Sequence, residues 1–231
     1  MSCRGLACPA RSFAVAAHLA VPPRGVEDAA PYGGSPWTSP LPQALTAARG
    51  LHSPIYTDNR LTISYPAVRR NIYEGMVQLI NEHFQDVDVI AGTATAGIPH
   101  AAWVAEEMGL PMIYVRSKPK DHGQGKQTEG VLYEGQRVVV IDDLISTGGS
   151  VLKAVKAVEK EGADVVGVVS VFTYELPAAD DNFQQFGIPY YSVTNYTTLI
   201  ETAEKTDLID RNQMKDLHEW RNDPAAWSAR H

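Results

Sequence analysis

The stretch RVVVIDDLISTGGS, Arg137–Ser150, constrains the fold more than any other part of this chain. Three valines and an isoleucine in succession suit a strand covered on both faces, as in parallel sheets sandwiched between helices. That strand runs into two carboxylates, Asp142 and Asp143. Leu144, Ile145, Ser146, Thr147, Gly148 and Gly149 follow, and from Ser150 apolar residues recur at helical spacing. Strand, glycine turn and helix make half of a βαβ unit, which predicts an α/β fold with a mainly parallel central sheet flanked by helices.

The rest of the chain alternates in the same way. Val68, Ile72, Met76, Leu79, Ile80 and Phe84 recur at three-to-four spacing and predict an amphipathic helix. Short apolar runs predict strands at Val87–Ala91, Met112–Val115, Arg137–Ile141, Val165–Phe172 and Tyr190–Val193. Helices are expected over Pro99–Met108, with Gly109 as its stop, and over Ser150–Glu161. Thr197–Lys205 and Arg211–Arg221 read as exposed terminal helices. No apolar run approaches the length of a membrane span, so no membrane partner is expected. The excess of acids, 27 Asp and Glu against 20 Lys and Arg, speaks against a nucleic-acid partner held by bulk charge. Two cysteines, Cys3 and Cys8, cannot build a disulfide scaffold, and a cytoplasmic location is expected.

Ligands of open α/β sheets bind beyond the carboxyl ends of strands, so the turn after Asp143 stands where chemistry is expected. Gly148 and Gly149 let the backbone close around an anion, and amides at the helix N-terminus donate to phosphate. The two acids would repel a phosphate but suit ribose hydroxyls or a place near a metal. A phosphate cradle beside a diol receptor describes a site for a ribose 5-phosphate. Read as plain structure, the same residues end a strand and cap a helix, which requires neither two acids nor two glycines. Neither GxxxxGK[ST] nor GxGxxG is present, so Walker-type hydrolysis and dinucleotide binding are unsupported. His83, His100 and His218 lack metal-ligand spacing, and Trp103, Trp220 and Trp227 read as packing residues.

One connection breaks the rhythm. About twenty residues, SKPKDHGQGKQTEGVLYEGQ, separate the strand ending at Val115 from the one starting at Arg137. Loops this long inside compact domains are usually functional or disordered. This one holds Lys118, Lys120, His122 and Lys126, follows Arg116, and contains Gly123 and Gly125. In an acidic chain a cationic loop of this kind predicts a lid over an anionic substrate.

These residues resemble a known family. VVVIDDLISTGGS is similar to the phosphoribosyl-pyrophosphate signature of type I phosphoribosyltransferases. VRSKPKDHGQGKQTEG narrows the resemblance to orotate phosphoribosyltransferase, whose catalytic lid has this Arg-x-x-x-Lys-x-His arrangement. SPIYTDNR at Ser53–Arg60, VIAGTATAGIPHAAWVA at Val89–Ala105 and VSVFTYELP at Val169–Pro177 extend it over about residues 51–222. The resemblance implies the type I phosphoribosyltransferase fold, with a small hood and a long flexible catalytic loop. It also implies transfer of ribose 5-phosphate from phosphoribosyl pyrophosphate to orotate, with Mg²⁺ bound mainly through substrate and no direct metal ligand among the side chains. By the same resemblance Asp142 and Asp143 hold the ribose hydroxyls, Ser146 to Ser150 surround the 5′-phosphate, and Leu144 and Ile145 belong to the same phosphoribosyl-pyrophosphate-binding stretch. Ser146 also contacts orotate, and Arg116, Lys120 and His122 bind pyrophosphate. Thr93–Gly97 touches pyrophosphate, Ile55–Asp58 lies against the orotate ring, and the working form is a homodimer that shares its lid. A purine or uracil phosphoribosyltransferase and a regulator that senses phosphoribosyl pyrophosphate are the alternatives.

The first fifty residues differ in kind from the rest. They hold seven of the 15 prolines and no lysine, and Arg4, Arg11, Arg24 and Arg49 outweigh Glu27 and Asp28. Residues 1–50 are therefore set apart from a phosphoribosyltransferase domain at 51–231. A disordered extension, an organellar transit peptide and an out-of-frame translation of an ordinary N-terminus are the candidate readings, and the last is favoured.

Overall fold

A computed structural model describes residues 45–46, 52–55, 57–118 and 126–230. In chain order its elements are β1 (Leu45–Thr46), β2 (His52–Ser53), a 3-10 helix (Asn59–Ser64), α1 (Pro66–His83) and β3 (Val89–Thr93). Then come α2 (Gly97–Met108), β4 (Met112–Val115), β5 (Thr128–Glu129), β6 (Arg137–Ile145), α3 (Gly149–Glu159) and β7 (Asp164–Thr173). The chain closes with α4 (Pro177–Phe186), β8 (Tyr190–Asn195), α5 (Tyr196–Lys205), α6 (Arg211–Asn222) and α7 (Pro224–Ser228). Two compact units emerge, Asn59–Val193 and the residues up to Asp58 together with those from Thr194 onward.

The larger unit is built on a six-stranded sheet in the order β5-β4-β3-β6-β7-β8. β3 runs parallel to β4 and β6, and β6 parallel to β7, while β5 lies antiparallel on β4. This agrees with the mainly parallel sheet expected from the sequence. α2 carries the chain from β3 to β4 on one side, and α3 carries it from β6 to β7 on the other. The winding direction therefore reverses between β3 and β6, and ligands of such sheets bind at the carboxyl end of that gap.

Apolar spacing decides what each element buries. Val68, Ile72, Met76 and Ile80 form the buried stripe of α1, and Val151, Leu152, Ala154, Val155 and Val158 that of α3. α3 packs with Val138 and Val140 of β6 and with Val165 and Val168 of β7 in one core cluster. Each buried Val, Leu, Ile or Met among them contributes roughly 1.5–3 kcal/mol.

Several boundaries move. β6 continues to Ile145 rather than stopping at Ile141, because β7 is long enough to pair with it as far as Ile145↔Thr173. β3 sits two residues later than expected, and α2 starts at Gly97 rather than Pro99. The sequence reading missed α4, although Pro177 opens it and left-handed Gly187 (φ 77) closes it. The connection after β4 is shorter than twenty structureless residues, since Thr128–Glu129 return as β5 and pair with Tyr114 and Val115.

The smaller unit contains the β1–β2 pair, in antiparallel register Leu45↔Ser53. Its helices are not simply exposed: Ile200, Leu217, Trp220 and Trp227 are buried, and the Tyr196 hydroxyl donates to the Leu217 carbonyl at 3.0 Å. Asp210 caps α6 in a reciprocal capping box with Gln213. Leu45–Thr46 apart, the residues set apart as the head lie outside the described residues. Among the described residues no helix is long and apolar enough to cross a membrane.

Candidate active site

β6 pairs with β3 as far as Gly92↔Ile141, whereas its pairing with β7 continues beyond. Asp142 and Asp143 thus lie within the strand, at the carboxyl end of the gap where winding reverses. Strand alternation separates their two side chains. Asp142 is buried, and its Oδ1 accepts from the Thr93 hydroxyl at 2.6 Å and from the Asp143 amide at 2.9 Å. Burial pushes the Asp142 carboxyl from 3.8 up to about 7, against the opposing pull of the Thr93 hydrogen bond and with help from the neighbouring Asp143 charge. This carboxyl therefore keeps its proton to higher pH than an ordinary aspartate does.

The Asp143 peptide is held on both sides. Its N–H donates to Asp142, and its carbonyl accepts from Asn59 Nδ2 at 2.8 Å. Asn59 is itself buried in the 3-10 helix, where its carbonyl accepts the Thr62 hydroxyl at 2.6 Å. α2 reaches this corner through Gly97. A Cβ there would stand 2.5 Å from Thr93 Oγ1 and 2.6 Å from the Ile141 carbonyl, so only glycine lets the helix approach.

The turn after β6 is shaped from outside. Gly148 adopts φ +75, and a Cβ on it would meet the Phe183 ring at 2.6 Å. The Thr147 carbonyl accepts from Asn182 Nδ2 at 2.7 Å, so α4 supports the turn twice. Gly148 is the N-cap of α3 and brings no side-chain acceptor to compete for the first-turn amides. Ser146 and Thr147 are half-buried and Ser150 is exposed, at the mouth of that helix. Ile145, expected in the phosphoribosyl-pyrophosphate-binding stretch, is fully buried, and its carbonyl accepts from Tyr174 N–H at 3.0 Å, which fixes the strand end from which the turn departs. Leu144 is half-buried.

Arg116 follows β4 directly. Its amide donates to the Gln127 carbonyl at 2.9 Å, and its Nη1 lies 3.8 Å from Glu129 Oε1. Lys118 is exposed. Lys120 and His122 lie outside the described residues. Asn59 falls within SPIYTDNR, a stretch that carries the family resemblance, but no role was expected of it, and no local pattern marks Asn182 or Phe183. His100 is a packing residue: it is buried, meets Trp103 edge-on at 5.6 Å, and burial lowers its pKa to about 4. His83 stacks on Tyr191 at 3.7 Å. Among the described residues no group of three or more His, Cys, Asp or Glu is placed to hold a metal ion.

Residues 64–202 match the phosphoribosyl transferase domain family. An orotate phosphoribosyltransferase from Lactiplantibacillus plantarum is 57% identical over 183 residues, covering 79% of this chain and 86% of that one. This chain belongs to the orotate phosphoribosyltransferase family. Among solved structures, Leishmania donovani UMP synthase is similar with a TM-score of 0.67 and 29% identity, over 77% of this chain and 38% of that longer one. The Mycobacterium tuberculosis orotate phosphoribosyltransferase in complex with 5-phospho-α-D-ribosyl 1-diphosphate is similar with a TM-score of 0.56 and 29% identity, over 68% of this chain and 89% of that one. The family places the six-stranded sheet in the type I phosphoribosyltransferase fold. It also decides against the purine, uracil and regulatory alternatives.

Proposed function

We propose that the family's reaction runs in the crevice at the carboxyl ends of β3 and β6. There the C1–oxygen bond of phosphoribosyl pyrophosphate breaks, pyrophosphate leaves with the bonding electrons, and a ring nitrogen of orotate takes its place on C1. The product is orotidine 5′-phosphate, in pyrimidine biosynthesis. The observation that carries this reading is the acid pair of β6 standing at the winding reversal, directly before a glycine turn that opens α3.

Each part of the site has a task in that reading. Asp143 and the partly protonated Asp142 offer hydrogen-bond acceptors and a donor to the ribose diol. Ser146 to Ser150 wrap the 5′-phosphate with first-turn amides and hydroxyls, the left-handed Gly148 setting the curve. Ser146 also meets orotate. Arg116, with Lys120 and His122 of the loop, neutralises the charge that develops on departing pyrophosphate. Orotate attacks as an anion, so no side chain is assigned as general base.

The donor set fits Mg²⁺ carried in on substrate. Asp142 and Asp143 turn to opposite faces of the strand and build no carboxylate cage, so the hard oxygen donors would come mainly from phosphoribosyl pyrophosphate itself. When bound, Mg²⁺ supplies charge neutralisation on the pyrophosphate oxygens. The same reading takes the working form to be a cytoplasmic homodimer in which part of the loop serves the neighbouring subunit, supported by the likeness of Arg116–Gly130 to the family's lid. The test is pyrophosphate release from phosphoribosyl pyrophosphate with each base in turn. Release is expected with orotate and Mg²⁺ and not with uracil, adenine or hypoxanthine. Equal release with a purine would refute the assignment.

A further inference from the structure

The base of the loop after β4 carries contacts that the reaction above does not use. β5 is only two residues long, too short to fix its own position at a sheet edge. Successive side chains of an extended segment point to opposite faces, and the three residues 127–129 use both. Gln127 and Glu129 turn to Arg116: Gln127 Nε2 donates to the Arg116 carbonyl at 2.6 Å, and Glu129 Oε1 lies 3.8 Å from Arg116 Nη1. Thr128, between them, turns the other way. Its hydroxyl donates to Glu161 Oε1 at 2.6 Å, and its amide lies 3.4 Å from the same oxygen. Lys126 Nζ stands 3.7 Å from Glu161 Oε2.

Glu161 belongs to the turn just beyond α3, the helix whose other end forms the phosphate turn. Its side chain is only 13% exposed, and Thr128 is buried. Burying a carboxylate is costly unless it is hydrogen-bonded, and a hydroxyl donating to a charged oxygen is among the stronger protein hydrogen bonds. This carboxylate therefore serves as an anchor for β5.

We infer that Glu161 is a positioning residue for Arg116, acting through Thr128 on the strand whose two flanking side chains hold the arginine. The inference rests on the reading of Arg116 as a pyrophosphate-binding residue. Without the anchor, this segment keeps only the short ladder of β5 to β4 and the Gln127 bond to the Arg116 carbonyl, and the guanidinium loses its fixed direction.

Steady-state kinetics of the full chain test this, with Arg116→Ala as the reference. Glu161→Ala should raise KM for phosphoribosyl pyrophosphate about tenfold, the scale of one hydrogen bond to a charged group, and leave KM for orotate unchanged. Thr128→Val should do the same from the other end, and it decides alone if Glu161→Ala does not fold. Glu161→Gln keeps an acceptor for Thr128 and should stay within about threefold of the parent. The Arg116→Ala/Glu161→Ala double variant should be no worse than Arg116→Ala, since the second change acts through the first. A raised KM in Arg116→Ala with parental kinetics in Glu161→Ala and Thr128→Val would overturn the inference, as would additive losses in the double variant. Parental kinetics in Arg116→Ala would instead overturn the reading of Arg116, and the inference with it.

Discussion

Asp142→Asn separates what this side chain does for the reaction from what it costs the fold. The buried carboxyl keeps its proton up to about pH 7, whereas in the unfolded chain it ionises at 3.8. Between those values the folded state binds a proton that the unfolded state has released, so this group makes stability fall as pH rises. At 1.36 kcal/mol per pH unit the cost is about 1 kcal/mol at pH 4.5 and reaches about 4 kcal/mol above pH 7. Asparagine presents the same Oδ1 to the Thr93 hydroxyl and the Asp143 amide, now 2.6 and 2.9 Å away, and carries no charge. The variant should therefore melt higher than the parent, by about 3 °C at pH 4.5 and about 8 °C or more at pH 8, at ~2–4 °C per kcal/mol in a chain of this length. Its kcat/KM for phosphoribosyl pyrophosphate should drop by at least about tenfold, as expected for a lost hydrogen bond to a charged group. Thermal melts at the two pH values and steady-state kinetics provide the check. A melting gain that is the same at both pH values, or a loss at pH 8, would refute the account of Asp142 as a carboxyl held above its usual range by burial.

Two further outcomes concern α2, which carries both His100 and Gly97. His100 is held neutral down to about pH 4 against 6.5 in the unfolded chain, so it makes stability fall as pH drops through that window, the opposite slope to Asp142. His100→Leu should therefore gain stability relative to the parent toward pH 4, by about 3 kcal/mol; a difference between variant and parent melts that stays constant from pH 6.5 to pH 4 would contradict this. Gly97→Ala should destabilise by roughly 1–3 kcal/mol, because neither the Ile141 carbonyl at 2.6 Å nor the Thr93 hydroxyl at 2.5 Å can yield without disturbing the acid pair. Urea midpoints measure it, and an unchanged midpoint would show that α2 does not need glycine to reach β6.

Much of the site was legible beforehand because its chemistry is local in sequence. Hydroxyls, glycines and two acids fall within nine residues of one another, bounded by an apolar strand and a helical stripe, so composition and spacing alone outline a phosphate turn beside a diol receptor. The partners were not legible. Thr93 and Asp142 are 49 residues apart, Asn59 and Asp143 84 apart, and Thr147 and Asn182 35 apart. No periodicity links such positions, and Asn59 and Asn182 look like ordinary polar residues until the sheet brings them in. α4 was missed for a different reason: its apolar face is narrow, with only Ala179 and Phe183 buried.

By itself the sequence determined the alternation of strands and helices, the α/β layering and the acid pair before a glycine turn, because each follows from short-range patterning of apolar, charged and conformationally special residues. Only the tertiary structure decided where the chain reverses its winding, since strand order is set by which buried faces pack together. That order places Asp142 against Thr93 in a buried corner and raises its proton affinity, extends β6 along β7 so that the acids lie within a strand, and turns part of an open-looking loop into a strand held by Glu161. Those properties arise from burial and contact across the sheet, neither of which a linear pattern contains.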